Sequence, residues 1–273
     1  MFNIKCCVKI DYVYRQKVVN MVGTFLGTGA SSGVPMLNCS CRVCTSSFSK
    51  NKRLRSSFFL KLSSGIKLLI DTGPDIRQQL LRENIDRFDL VLYTHEHYDH
   101  IMGFDDIKFY TRATPLNIYA RDTTMVHIMN AFPHNFSSKP SLSGKADIIP
   151  NVVKDFEPIF FKGLKIVPIP LIHGEIVSLG YRVGNLAYLT DVKSIPEASY
   201  DYLENLDLLI IDAMRIKPHP THLNFSEAIR EIKKINPKVS YFTHIAHDIM
   251  HEEFDYLEKD NIYLAYDGLK IYI

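Results

Sequence analysis

Thr94-His95-Glu96-His97-Tyr98-Asp99-His100 gathers three imidazoles and the Asp99 carboxylate into one short stretch, with Glu96 off their register. Imidazole nitrogen suits zinc and other transition metals, while carboxylate oxygen suits harder ions such as manganese. The preceding run, Asp89-Leu90-Val91-Leu92-Tyr93, reads as a buried strand, so the cluster closes a strand at its carboxyl end. In extended chain, residues two apart point the same way. His95 and His97 can therefore grip one ion, while Asp99 and His100, in the tight turn that follows, face a second. A lone histidine is ordinarily a core or surface residue, but this density at alternating spacing points to metal.

A second cluster, Cys39-Ser40-Cys41-Arg42-Val43-Cys44, has a different chemistry. Thiolates so closely spaced read as a metal site rather than a disulfide. A closed zinc tetrahedron needs four ligands, so one must come from elsewhere. His247, in Thr243-His244-Ile245-Ala246-His247, is the candidate. Cys6 and Cys7 have no visible partners.

Strand-like segments must hold these residues. Ser57–Leu62 and Ile66–Ile70 flank Ser63-Ser64-Gly65, a hairpin signal. Further strands are expected near 116–119, 159–161, 165–169, 178–183, 186–189, 208–211, 239–242 and 262–265. Pro74–Arg82 reads as a helix with Pro in its first turn, and other helices are expected over 123–131, 226–235 and 252–259. Strand pairs interrupted by helices suggest two sheets covered outside by helices, an α/β architecture (α+β in some schemes).

The spacing His-x-His-x-Asp-His resembles the signature of the metallo-β-lactamase superfamily. That resemblance implies an αββα sandwich and three further ligands in order: His173 in Leu171-Ile172-His173-Gly174, Asp191 closing Ala187–Thr190, and His244 closing Val239–Thr243. It runs from about residue 21 to the C-terminus. It also implies the metal assignment. His95, His97 and His173 would hold one ion; Asp99, His100 and His244 the other; Asp191 would bridge. Two such cations generate hydroxide and clamp phosphoryl oxygens during in-line displacement.

Gly27-Thr28-Gly29-Ala30-Ser31-Ser32-Gly33-Val34-Pro35, followed by the cysteines, resembles the branch containing the cyclic-phosphate phosphodiesterase of the bacterial carbon–phosphorus lyase pathway. That branch implies a dinuclear centre, of manganese or zinc, beside a structural zinc held by Cys39, Cys41, Cys44 and His247. Arg55-Ser56-Ser57, Asp71-Thr72-Gly73-Pro74-Asp75 and Gly103-Phe104-Asp105-Asp106 fit the same branch. His219-Pro220-Thr221-His222-Leu223-Asn224 resembles the catalytic histidine motif of phosphodiester-cleaving branches, including ribonuclease Z. It makes His222 the general acid, with His219 its rival, and Asp99 a catalytic as well as a ligating carboxylate. Asp71 and Asp212, each closing a strand, are candidates either to orient metal imidazoles or to cap the turn that follows. His127, His134 and His251 match no motif position.

The expected function is thus a metal-dependent hydrolase, a phosphodiesterase acting on a small cyclic or nucleotide-like substrate. A ribonuclease Z-like tRNA-processing nuclease, a thioester or lactone hydrolase and a non-catalytic cofactor-biosynthesis protein are the alternatives. The 273 residues carry a net charge of +2, which disfavours bulk electrostatic binding of long nucleic acid. No apolar run is long enough to span a membrane. The odd, uneven cysteines and the lack of a secretory h-region suggest a reducing, cytoplasmic location. The basic run Lys50-Asn51-Lys52-Arg53-Leu54-Arg55 reads as a solvated loop or as a means of recruiting an anionic substrate. Residues 1–20 read as a dispensable extension, with Met21 opening the hydrolase domain of residues 21–273. A homodimer stands as an open alternative.

Overall fold

The computed structural model describes residues 21–112, 114–136 and 146–273. The expectation for residues 1–20, and with it Cys6 and Cys7, lies outside the described residues.

Strands β1 (Met21–Gly27), β2 (Ser57–Leu62), β3 (Lys67–Ile70), β4 (Leu90–Leu92), β5 (Leu116–Ala120) and β6 (Ile148–Val152) occupy the first half of the chain. The second half carries β7 (Ile159–Phe161), β8 (Leu164–His173), β9 (Ile176–Val183), β10 (Leu186–Leu189), β11 (Leu208–Asp212), β12 (Val239–Thr243), β13 (Ile262–Leu264) and β14 (Lys270–Tyr272). They form two seven-stranded sheets, ordered β14-β1-β2-β3-β4-β5-β6 and β13-β12-β11-β10-β9-β8-β7. Only β14 crosses from the second half, pairing antiparallel with β1 and closing the edge of the first sheet.

Three apolar layers make this a sandwich. Phe25, Phe58, Leu60, Leu68, Leu90, Tyr181, Tyr188 and Ile210 fill the space between the sheets. Outside the first sheet, Leu69, Val91 and Ile118 pack beneath helices α1 (Ile76–Arg82) and α2 (Asp122–Ala131). Outside the second sheet, Leu209, Ile211 and Phe242 pack beneath the fifth helix, Phe225–Ile235. Central strands buried on both faces explain the unbroken Leu/Ile/Val runs at 68–70, 90–92 and 208–211.

The pattern predicts the central strands within a residue or two, save that β8 runs on to His173, four residues past the expected end, and the hairpin turns at Gly65 with φ +85°. The edge strands β6 and β14 are not predicted: their exposed, interrupted patterns give little periodicity. Residues 252–259, expected as a helix, belong to a 3₁₀ segment, His251–Asp260. The basic run is corrected too. Arg53 and Asn51 are buried rather than solvated, with Arg53 Nη1 donating to Thr28 Oγ1 at 2.8 Å and to the Ala265 carbonyl at 2.6 Å.

Candidate metal centre

The side chains that converge do so from the ends of parallel-paired strands β3, β4, β10, β11 and β12, joined by His173 at the end of β8, which pairs antiparallel. Three residues just past such ends have left-handed backbone: Asp71 (φ 61°), Asp191 (φ 52°) and His244 (φ 57°). Each such non-glycine conformation costs on the order of 1–3 kcal/mol and persists only where surrounding structure over-determines it. Here the left-handed step turns a side chain off the strand line and into the space between the strand ends.

His95, His97, His173 and Asp191 bring one ligand atom each to within 4.8 Å of one another, as do Asp99, His100 and His244. Asp191 faces both groups. Its Oδ1 lies 3.8 Å from His95 Nε2, 3.7 Å from His173 Nε2 and 3.4 Å from His244 Nε2; its Oδ2 lies 3.2 Å from His100 Nε2. A third overlapping set, Asp191, His222 and His244, meets the same distance limit.

The proton positions follow from the acceptors around the rings. His100 Nδ1 donates to Asp71 Oδ2 at 2.7 Å, and His173 Nδ1 donates to the Thr221 carbonyl at 2.8 Å. Their Nε2 atoms then point into the pocket, where a divalent ion would take the place of a proton; hydrogen-bond acceptors behind metal imidazoles fix the rings in this way. His100 Nε2 and His244 Nε2 are buried without a hydrogen-bond partner among the described residues. His95 Nε2 and His97 Nδ1 face each other at 2.9 Å. Lone pairs converging on carboxylates, with no donor to satisfy them, fit divalent cations.

Electrostatics agree. Burial opposes ionisation of Asp191, but the imidazoles of His244, His100 and His95 hold its carboxyl well below the usual range. Asp99 is likewise driven down against burial, by His100 first. Burial opposes the His100 imidazolium also, yet Asp191, Asp99 and Asp71 hold it well above the usual range. His95, buried and beside His100, is pushed well below. The pocket keeps its carboxylates ionised and attracts positive charge.

His222 enters on the loop before the fifth helix. Asn224 caps that helix in a reciprocal box with Glu227, so the polar residues of the motif divide: Asn224 serves the helix and His222 turns inward. His222 Nδ1 donates to Asp212 Oδ2 at 2.7 Å. The ring stacks on His244 at 4.8 Å and meets His173 edge-on at 4.6 Å. Asp71 therefore orients a metal-type imidazole as expected, whereas Asp212 orients His222 and reaches His244 Nδ1 only at 3.9 Å. His219 lies at the rim, 5.0 Å from His222 between ring centroids, with Nδ1 accepting from the Thr221 hydroxyl. His127, His134 and His251, which match no motif position, lie elsewhere. His127 bonds the Thr123 carbonyl, His134 pairs with Asp105, and His251 contacts Arg53. The role of Thr221 is invisible in sequence because it acts through backbone oxygen.

The cysteine cluster is assembled separately. Cys39, Cys41, Cys44 and His247 bring ligand atoms within 4.8 Å of one another. His247 Nδ1 is 3.4 Å from Cys39 Sγ and 3.5 Å from Cys41 Sγ. The Cys44 amide and His247 lower the Cys41 thiol to about 6, favouring the thiolate a metal requires. The three cysteines are free thiols and the four donors suit a structural metal. No helix among the described residues is long and apolar enough to cross a membrane.

Residues 67–245 match the family described as the beta-lactamase superfamily domain. The crystal structure of a new diphosphatase from the PhnP family is 41% identical, with a TM-score of 0.86, covering 93% of this chain and 97% of that one. An octanoyltransferase of Porphyromonas gingivalis is 36% identical over 250 residues, 91% of this chain but 51% of that protein. The chain thus spans about half the length of that curated relative. Zinc-bound PqqB from Methylobacterium extorquens shares the fold at 18% identity and a TM-score of 0.75, covering 92% and 99% of the two chains. With the ligand-type residues gathered at the strand ends, these matches make the chain a member of the metallo-β-lactamase superfamily.

Proposed function

We propose that the protein is a phosphodiesterase that cleaves a small phosphodiester, cyclic, nucleotide-like or of the diphosphate type. The observation carrying this reading is the His222–Asp212 pair, seated against both ligand groups in a chain 41% identical to a PhnP-family diphosphatase. His95, His97 and His173 would hold one divalent ion, manganese or zinc; Asp99, His100 and His244 would hold the second; Asp191 would touch both. Bound there, the ions supply Lewis-acid stabilisation of phosphoryl oxygen and lower the pKa of water.

The chain's own contribution is positioning and proton delivery. Asp212 fixes the His222 ring through Nδ1, so that in the imidazolium form Nε2–H would hand its proton to the departing oxygen and leave the neutral Nδ1–H ring behind. Lys193 grips Glu227 at 2.9 Å and reaches the His222 carbonyl at 3.4 Å, tying the histidine loop to the helix cap. Asp99, at the more accessible side of the pocket, keeps an anionic oxygen between His100 and His244. Cys39, Cys41, Cys44 and His247 would hold a structural zinc.

A substrate panel on the manganese- or zinc-loaded protein tests the reading. A bis-aryl phosphodiester, a ribose cyclic phosphate, 2′,3′-cyclic nucleotides and a nucleoside diphosphate ester should include the preferred substrate. The octanoyltransferase relative makes an octanoyl thioester the necessary competitor, and precursor tRNA tests the nuclease alternative. Preference for either would replace the phosphodiesterase reading.

A further inference from the structure

A cavity of about 110 Å³ opens at the outer edge of the second sheet, where β12 and the edge strand β13 meet the 3₁₀ segment His251–Asp260. None of its lining residues belongs to the histidine–carboxylate centre or to the cysteine cluster. An engineered apolar cavity of about 150 Å³ holds benzene, so this one has room for a small organic group.

Its walls are aromatic and already fixed. Tyr241 and Tyr263 are register partners across β12 and β13, and their rings stack with centroids 5.3 Å apart. Phe254 lines the cavity too, anchored against Phe225 at 4.8 Å. Tyr266 meets His251 edge-on at 5.9 Å. The His251 ring brings no charge, because its Nδ1 accepts from Arg53 Nη2 at 3.1 Å.

The charges that line the cavity are unpaired. The Lys50 ammonium stands 4.7 Å from the Tyr266 ring centroid, so one wall already receives a cation on its face. Asp255 and Glu258 are exposed and lie three residues apart in a 3₁₀ segment, which puts them on one face. The Tyr241 phenol is raised by burial first, then by Tyr263, Tyr266 and the nearby Glu258 carboxylate. Among the described residues, neither Lys50 nor Asp255 nor Glu258 forms an ion pair. Opposite charges thus line one aromatic cavity without neutralising each other.

We propose that this cavity binds a small zwitterion of the betaine type, its methylated ammonium against the tyrosine rings and the Asp255 and Glu258 carboxylates, its own carboxylate on Lys50. The site is separate from the metal centre and does not rest on the phosphodiesterase reading. A methylated ammonium needs no hydrogen-bond partner and is drawn to aromatic faces. Two carboxylates against one ammonium leave the lining net negative, which disfavours a simple anion. Lys50 in turn repels a simple cation, so a ligand carrying both charges fits better than either half.

Calorimetric titration of the full chain with glycine betaine, tetramethylammonium and acetate tests the site. Glycine betaine should bind one-to-one and about 10-fold more tightly than tetramethylammonium, the scale of one favourable charge contact. Lys50→Met should bring betaine down to the affinity of tetramethylammonium. The joint variant Asp255→Asn, Glu258→Gln should weaken both cationic ligands by at least about 10-fold; its positions are exposed, so it keeps its fold even if Lys50→Met does not. Asp191→Asn, altered in the metal centre, should bind betaine as the wild type does. The proposal is overturned by a wild type that does not bind betaine or does not prefer it to tetramethylammonium, and by unchanged betaine affinity in the joint variant. Loss of betaine binding in Asp191→Asn would also overturn it, by placing the ligand at the metal centre.

Discussion

The histidine–carboxylate centre and the cysteine cluster adjoin at one short step of chain, His244 to His247, and are built in opposite ways. The centre hangs on strand ends. Its members are mostly buried, three of the residues that shape it have left-handed backbone, and several of its imidazole nitrogens face the pocket unsatisfied. The cluster hangs on a loop. Cys39, Cys41 and His247 are half-buried, and its sulfurs already accept backbone N–H bonds from Met36 and Cys44. A site that must accept a substrate keeps its donors rigid and unspent. A site that only ties chain segments together can sit on a flexible support, because the ligands themselves close the loop. The second arrangement serves the first. The Thr28–Gly33 turn precedes the cysteines, and His247 carries the strand end of His244 against them.

The strongest way to break this contrast is to remove the residue that faces both ligand groups. Asp191→Asn should abolish hydrolysis of the preferred diester and lower the content of divalent ion in the centre, while the cysteine-bound zinc stays. Elemental analysis alongside activity separates the two sites. Loss of all metal from this variant would mean that the sites are not independent.

Next in size is His222→Ala. General acid–base assistance is worth roughly 10²–10⁴-fold, and kcat should fall by that order with a poor leaving group and by much less with nitrophenolate. Because His222 lies within ligand distance of Asp191 and His244, metal content is the sharper readout. Retained metal makes it an acid; one ion lost makes it a ligand. A larger defect in His219→Ala would move the acid to the rim histidine.

Cys41→Ser should spare chemistry and cost stability. One zinc equivalent should be lost, with a destabilisation of a few kcal/mol. At about 2–4 °C per kcal/mol for a chain of this size, Tm should fall on the order of 10 °C. Full metal retention in the variant would remove the structural site.

Both sites were legible in sequence to the extent that side chains at fixed spacing carry them. His95, His97, Asp99 and His100 announce themselves because a strand's alternation and a tight turn are local. His173, Asp191 and His244 needed the superfamily pattern, since nothing local says that distant strands end at one place. Asp71 and Asp212 stood out as strand-closing carboxylates, but which imidazole each would hold depended on backbone turns at Asp71 and His244 that no periodicity reports. Thr221 was out of reach because a backbone carbonyl does its work. The burial of Arg53 ran against composition. A charged residue in a basic run reads as solvated until the partners that satisfy it, Thr28 and the Ala265 carbonyl, are brought from far along the chain.

The smallest effect lies behind the cysteine cluster, where His251 supports the loop side of the comparison. Its backbone amide donates to the buried Asn51 side chain at 2.8 Å, and its Nδ1 faces Arg53 Nη2 at 3.1 Å. Arginine can only donate, so Nδ1 accepts and the ring is held neutral. Burial first, then the positive charges of Arg53 and Lys50, lower the imidazole to about 3. The unfolded chain protonates this histidine near its ordinary value of about 6.5. Between those limits the unfolded state binds more protons, so stability rises with pH across the window and is lost as pH falls through it. The loss is at most about 1.4 kcal/mol for each pH unit below 6.5. His251→Gln keeps an acceptor for Arg53 but cannot charge. Its Tm should match the wild type within a few degrees at pH 8 and decline less steeply between pH 6.5 and 5. Parallel Tm profiles for the two proteins over that range would show that His251 takes up a proton without cost.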